Sequence, residues 1–463
     1  MPSLRTAHSL TLTLFVASLP LLFAETGSAQ TKLLATNVAP YDISGFAVAV
    51  SGNIAVLGAP LDDTNGSASG SAAVFRWNGT AWIQEATLLA ADGSADDRFG
   101  GAVSIDGDLI AVSSLFEDGA ATDAGAVYLF RFNGSIWAPE AKLVAPDAGS
   151  FDQFGWSISV EQDRLLVGAR HDDDGGLDAG SAYVFHRLES GWQFEAKLSA
   201  FDGGPYDLFG ASVALSGNRA VIGAPNDDLY GWGSGSAYVF RRSSRGWISD
   251  AKLKATDQSW SAEFGQAVDI DGGTIVIGAW GDDEGGPDAG AAYVFREEDG
   301  VWAEEQKLLS DDGVAGDLFG CSVSVRGHNI LVGAPLASAT GPASGAAVRF
   351  HKQGVAWNQQ ETLTAATNDS LFGFGYSVCI DDSAYLVGVP YDNDAGSEAG
   401  GAYVFTFLEP LFADLNADGS VNQLDLGILL GTWGVLGGPA DLDADGIVGP
   451  ADLALMLGAW TWK

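Results

Sequence analysis

The chain has 463 residues, of which 22 are basic and 60 acidic, for a formal net charge of −38. A polyanion is repelled by nucleic acid and by anionic membrane surfaces, so neither partner is expected, and cations or neutral ligands remain. Cys321 and Cys379 are the only cysteines, too few for a disulfide framework, and are read as two buried thiols in preference to a bridge.

Residues 1–29 read as a signal peptide. Arg5 gives a positive start, Leu10 to Phe23 is mostly apolar, and Gly27-Ser28-Ala29 offers small residues for cleavage before Gln30. No later apolar run approaches the roughly 18 residues that would span a bilayer, so the mature chain is expected to be secreted and extracellular.

Residues 30–407 repeat one pattern. Phe99-Gly100, Phe154-Gly155, Phe209-Gly210, Phe264-Gly265, Phe319-Gly320 and Phe374-Gly375 stand 55 residues apart, with a degenerate copy at Ser44-Gly45. Such a period means stacked equivalent units. Gly58, Gly168, Gly223, Gly278, Gly333 and Gly388 open a Gly-Ala-Pro-like turn at the same step, and Ser113 stands there in the second copy. Phe75, Phe130, Phe185, Phe240, Phe295, Phe350 and Phe405 close an Ala-Tyr-Val-Phe run, and Trp82, Trp137, Trp192, Trp247, Trp302 and Trp357 start the segment after it.

Each copy holds four short apolar runs separated by turn residues, which predicts four strands; in the copy at Phe209 these are Ala211–Leu215, Ala220–Gly223, Ser236–Arg241 and Trp247–Lys254. Ser216-Gly217-Asn218 is a tight hairpin signal between the first two. Seven antiparallel four-stranded units make an all-β, seven-bladed propeller. The last copy lacks its fourth strand, whereas Lys32-Leu33-Leu34 matches Lys142-Leu143 and Lys252-Leu253. The amino-terminal strand is therefore expected to complete the seventh blade and close the ring.

The repeat resembles the FG-GAP repeat, found in the propeller of integrin alpha chains and in many secreted bacterial proteins. The resemblance covers about four fifths of the chain and bears on fold more than on function. It implies an extracellular binding or adhesion role. Integrin blades that bind calcium carry an Asp-rich loop between the first two strands; here every copy has a short hairpin, so those sites do not carry over.

From residue 408 the period stops. Asp414, Asn416, Asp418, Asn422 and Asp425 place oxygen side chains at loop positions 1, 3, 5, 9 and 12, with Gly419 at 6 and the Ser420 carbonyl at 7. This pattern wraps oxygens around a hard cation. A second copy, 27 residues later, has Asp441, Asp443, Asp445, Gly446, the Ile447 carbonyl and Asp452, with Gly449 at position 9. Two calcium ions are expected in residues 408–463, with binding coupled to folding because so small a core is marginal alone. Helices are predicted at Leu424–Leu430 and Ala451–Leu457. The pair is similar to a type I dockerin, an α-helical module with EF-hand-like loops, which implies docking to a cohesin-like or cell-surface protein through residues near Gln423, Leu424, Thr432, Pro450 and Ala451. A calcium-stapled cap that binds no protein fits the same residues.

Propeller connectivity sends the loop between strands two and three, and the loop into the next blade, to one face. Acidic residues concentrate in both: Asp62-Asp63, Glu117-Asp118, Asp172-Asp173, Asp227-Asp228, Asp282-Asp283 and Asp392 in one, Asp92, Asp97, Asp147, Asp152, Asp202, Asp207, Asp312 and Asp317 in the other. That face is expected to be strongly negative, either for solubility and turn formation or for binding. Phe151, Tyr206, Tyr230, Trp232, Trp260 and Trp280 add aromatics where other copies carry small residues, a combination suited to pyranose rings and hence to a polysaccharide. Arg170-His171 replaces the Pro of the turn with a basic pair, from which a general acid or base could be built, although a surface ion cluster explains it as well. The four histidines after the leader form no metal-binding pair, and no Gly-x-Ser-x-Gly nucleophile turn occurs. The expected function is a secreted binding or adhesion module with a calcium-dependent tail; the alternatives are a polysaccharide-degrading enzyme delivered by that tail, or a structural surface protein.

Overall fold

In each repeat the four apolar runs become four antiparallel strands, and the computed structural model shows seven such sheets. It describes residues 29–228, 231–365, 373–406, 415, 421, 423–435, 438, 440, 442 and 447–458. In the repeat at Phe209 the strands are Ser212–Ser216, Arg219–Ala224, Ser236–Ser243 and Gly246–Leu253, close to the expected bounds. The second strand is buried at nearly every position because both faces of a blade pack on neighbours; hence its continuous apolar run. Ser216 pairs with Arg219 across the two-residue turn Gly217-Asn218, where Gly217 has φ +57°.

The ring closes as expected. Ala29–Leu33 pairs antiparallel with Gly401–Thr406, from Ala29 opposite Thr406 to Leu33 opposite Ala402. This strand begins at the residue assigned as the last of the leader; the remainder of the leader lies outside the described residues.

The glycines of the two motifs meet at blade boundaries. Gly210 N–H donates to Gly223 O at 2.9 Å within the blade. Gly223 packs so closely on the next blade that a Cβ there would stand 1.9 Å from Gly265 O. Gly58, Gly168, Gly278, Gly333 and Gly388 approach their neighbours in the same way. The second blade carries Ser113 at this position, and a Cβ added to Gly155 of the third blade would meet the Ser113 Cβ at 2.9 Å; the second blade's first strand breaks register between Phe99 and Val103. The six Phe rings of the Phe-Gly pairs are at most 1 % exposed. Phe209 lies edge-on to Tyr238 and Phe240, with centroids at 5.4 and 6.1 Å, the arrangement that ring quadrupoles favour.

Side chains staple the ring at two radii. At the hairpin end of the innermost strands, Gln162 N–H donates to Asp106 (2.6 Å), Gly217 N–H to Glu161 (2.6 Å) and Gly327 N–H to Asp271 (2.7 Å). Ser51 and Ser216 accept from Gly107 and Gly272, Arg326 pairs with Asp382, and Asp381 accepts from Gly52, so all seven junctions are linked. At the outer edge the tryptophan ladder is packing: Trp137 and Trp192 Nε1 donate to Glu85 and Glu140 of the preceding blade at 2.6 and 2.7 Å. Cys321 and Cys379 are free, and burial pushes both thiols up to about 12.

In the tail the helices are Gln423–Gly431 and Pro450–Gly458, packed around Val421, Leu429, Ala440, Val448 and Met456. Among the described residues no helix is long and apolar enough to cross a membrane.

Candidate functional site: the loop face of the propeller

The carboxylates of this face divide by where they point. In the loop between strands two and three, the first acid of each pair turns inward, and Asp62, Glu117, Asp172, Asp227, Asp282 and Asp392 are all at most 5 % exposed. A lysine from the fourth strand meets it in five blades: Lys142–Glu117 (2.8 Å), Lys197–Asp172 (2.9 Å), Lys252–Asp227 (2.6 Å), Lys307–Asp282 (2.9 Å) and Lys32–Asp392 (2.6 Å). Tyrosine hydroxyls of the third strand donate to the same groups, as Tyr183 does to Asp172 at 2.6 Å. The second acid builds the loop: Asp63, Asp118, Asp173 and Asp283 accept the N–H five residues on, at 2.7–2.9 Å. In the loop entering the next blade, Asp97, Asp152, Asp207 and Asp317 accept the N–H three residues back. Most of these carboxylates therefore hold loops and anchor lysines, the role turn chemistry assigns to Asp.

Burial sets opposing proton affinities. It pushes the Asp207 carboxyl up to about 6, with Asp227 and Asp228 adding to the effect against the Gly204 N–H bond. Asp269, on an innermost strand, is also raised by burial to about 6, although Val325 and Ile270 N–H and the Ser324 hydroxyl donate to it. Glu140 goes the other way: despite burial, bonds from Arg131, Arg187 and Trp192 draw it down to about 2. Between about pH 4 and 6 the folded chain keeps protons on Asp207 and Asp269 that the unfolded chain has released, so their contribution to stability falls as pH rises through that window. The Glu140 contribution is complete above about pH 4.5 and is lost as pH falls toward 2. In chelator-containing buffer the thermal midpoint is expected to peak at about pH 4–5. Asp207→Asn, which keeps an oxygen for Gly204 N–H, should flatten the alkaline limb; a midpoint that rises steadily from pH 4 to 7 would contradict this.

The aromatics lie on this face. Phe151, Tyr206, Trp232 and Trp260 are 58, 54, 78 and 75 % exposed. Trp260 stands against Gly231, where a Cβ would meet the indole at 2.7 Å, and Ser261 N–H donates to Trp232 O at 2.9 Å, so these two come from neighbouring loops. Trp280 is half-buried and its Nε1 donates to Glu263 at 2.5 Å. Tyr230 lies outside the described residues. Phe201, 64 % exposed and edge-on to Tyr238 at 5.7 Å, belongs to the same set. Its signal was legible, since the matching positions hold Ala91, Pro146, Thr256 and Asp311. Phe151 and Tyr206 share one repeat position with Tyr41, and the three have φ of +73, +71 and +73°, a region that bulky residues seldom adopt. Their N–H groups donate to Thr122, Leu177 and Ser397 carbonyls of the adjoining loop, each at 2.8 Å, and that bond holds the strained backbone.

The basic pair does not assemble with its acidic neighbours. Arg170 lies over the Trp156 ring at 3.1 Å and reaches Gln153 at 3.3 Å; burial lowers it to about 10. His171 Nδ1 is 2.8 Å from Asp178, whereas Asp172 and Asp174 both turn to Lys197. With Asp173 holding Asp178 N–H, five consecutive residues thus serve four separate sets of partners.

Of the calcium-loop residues, Asp414, Asn416, Asp418, Ser420, Asn422, Asp441, Asp443 and Asp445 lie outside the described residues. Asp425 and Asp452 are buried, at 0 and 1 % exposure. The Asp452 carboxylate reaches back into its loop, accepting Leu442 N–H at 2.5 Å and Gly449 N–H at 2.6 Å. Ile447 is exposed. Gln423, Leu424, Pro450 and Ala451 are exposed, and Thr432 is half-buried with its hydroxyl donating to Ile428 O at 3.0 Å.

A ring of seven four-stranded blades, interlocked by Phe-Gly and Gly-Ala-Pro glycines and presenting one loop-rich face, defines an integrin-like seven-bladed propeller. Residues 28–75, 82–130, 137–185, 192–240, 247–295, 302–348 and 357–405 match the FG-GAP repeat, and the chain belongs to that family. Integrin alpha-M of Mus musculus is 31 % identical over 133 residues, covering 25 % of this chain and 11 % of that protein. The solved structure of Saccharomyces cerevisiae Sqt1 is similar over 82 % of this chain and 99 % of that chain, at 11 % identity and a TM-score of 0.46.

Proposed function

We propose that the protein is a secreted extracellular binding module whose loop face recognises a polysaccharide and whose tail binds calcium and attaches it to a partner protein. The observation that carries the glycan reading is the exposure of Phe151 and Tyr206 on left-handed backbone, where Gly316 occupies the matching position of another blade. The left-handed turn belongs to the repeat, since Asp96 and Ser261 share it at φ +68 and +55°; it does not require an aromatic, so exposed rings at two successive copies point to a role other than folding. Exposed rings on this face, Trp232 and Trp260 among them, suit the C–H faces of sugars, and the exposed carboxylates suit hydroxyls. The integrin relationship supports a binding role outside the cell.

The tail fits calcium by charge. From Asp414 to the end there are seven aspartates and a single basic residue, Lys463, while Asp425 and Asp452 are buried. Buried carboxylates at position 12 of each loop suit ligation of a hard cation. Asp414, Asn416, Asp418, Asn422 and Asp425 would hold one ion, with Asp441, Asp443, Asp445 and Asp452 holding the other, and calcium would supply the charge that orders both loops. Leu424, Leu430, Leu455 and Leu457 remain exposed, an apolar surface suited to a cohesin-like partner.

The test is a glycan array with the intact chain and with Phe151→Gly/Tyr206→Gly. Glycine tolerates positive φ, so stability should be unchanged or raised while affinity falls at least about tenfold. Equal binding by the variant, or no glycan bound, would remove the glycan reading. Calcium uptake should fall by two ions per chain in Asp418→Ala/Asp445→Ala, and unchanged uptake would remove the tail assignment.

A further inference from the structure

The first blade departs from the others at three positions that meet in space. Ser44 replaces the Phe of the Phe-Gly pair, Ala73 the third-strand Tyr, and Thr87 the fourth-strand Lys. The blade nevertheless keeps the inward acid Asp62 and the loop acid Asp42, which are 5 and 3 % exposed. The sixth blade makes a telling contrast: its Lys and Tyr positions hold Thr362 and Val348, but its inward acid is Ala337, so cation and anion are lost together. Only the first blade loses the cation and keeps both carboxylates.

Loss of the three large side chains leaves a pocket with room for a single water-sized sphere, and its polar lining is Asn37, Asp42, Ser44, Asp62, Ser71 and Thr87. Asp62 accepts Thr64 N–H at 2.6 Å and the Ser71 hydroxyl at 2.7 Å, and Asp42 accepts Ala39 N–H at 2.6 Å. An ionised carboxylate offers about four acceptor sites, so both retain capacity. Among the described residues no lysine, arginine or histidine pairs with either acid. Ser44 supplies the independent sign of a missing ligand: it is 0 % exposed, it lines the pocket, and its Oγ has no hydrogen-bond partner. Burial, opposed by the Ala39 bond and reinforced by Asp62 and Asp63, pushes the Asp42 carboxyl up to about 6, as expected where negative charge lacks a counterion.

We propose that this pocket binds a hard divalent cation, held by Asp42 and Asp62 and completed by the Ser44 hydroxyl, in the place that the lysine ammonium fills in five other blades. Two carboxylates neutralise a divalent charge, and an all-oxygen set of flexible geometry suits calcium, with magnesium the smaller competitor. The site shares no residue with the tail loops or with Phe151, Tyr206, Trp232 and Trp260.

The full chain carrying Asp418→Ala/Asp445→Ala, stripped with chelator, isolates this site from the tail. Calcium chloride or magnesium chloride at hundredfold excess over half-saturation should raise the propeller's unfolding midpoint by roughly 3 °C, with one ion bound per chain by elemental analysis. Thr87→Lys restores the ammonium and should abolish both the shift and the bound ion while raising the cation-free midpoint. Asp42→Asn keeps the Ala39 bond and should also abolish the shift, which preserves the test if the lysine variant misfolds. No shift with either salt, or a shift that survives in Asp42→Asn, overturns the proposal.

Discussion

Gly223→Ala is expected to destabilise the propeller by at least about 3 kcal/mol. The added methyl would stand 1.9 Å from Gly265 O, and both partners are backbone, so no rotamer change relieves the clash. The blades must separate, and with them the apolar surface between Ile222 and its neighbours, which is fully buried. Ser113→Ala is the matched control, because that position already carries a Cβ and loses only the bond from Ala102 N–H at 2.8 Å and a long one to Ala102 O at 3.4 Å, together worth about 1 kcal/mol. Denaturant unfolding of the two variants separates the cases. A Gly223→Ala variant within about 1 kcal/mol of the parent would mean that the glycine contact is not what spaces the blades.

Deleting residues 29–33 is the second large effect. The seventh sheet would lose its outer strand, exposing the edge of Gly401–Thr406, and an open ring is prone to edge-to-edge association. Leu33, 2 % exposed, packs with Phe75 and Val404, and Lys32 neutralises Asp392, whose side chain is 0 % exposed. The expected loss is on the order of 5 kcal/mol, with aggregation on refolding. Lys32→Met retains the strand but strands the Asp392 charge, at a cost of about 3 kcal/mol. A deletion variant that unfolds at the parental midpoint would show the ring to be closed by other means.

Particular residues show how much could be read in advance. The strands around Phe209 followed from turn chemistry at Gly217-Asn218 and from short apolar runs, both local signals. The ring closure followed from Lys32-Leu33 matching Lys142-Leu143. The fate of the acids did not: Asp172 and Asp173 are chemically identical neighbours, yet one is buried against Lys197, 25 residues on, and the other holds Asp178 N–H at the surface. Phe201 was legible by comparison of repeats, but its position beside Tyr238 was not.

The strict 55-residue step, the four short apolar runs in each copy and the Lys32-Leu33 match together settled that there would be seven equal sheets joined through an amino-terminal strand, because strand length and turn type depend on neighbouring residues. Only the assembled ring decided which charges are satisfied. Ser44, Ala73 and Thr87 lie on three different segments, each unremarkable alone, and they become one pocket because adjacent strands and blades bring distant side chains within a few ångströms, where burial strengthens every unpaired charge.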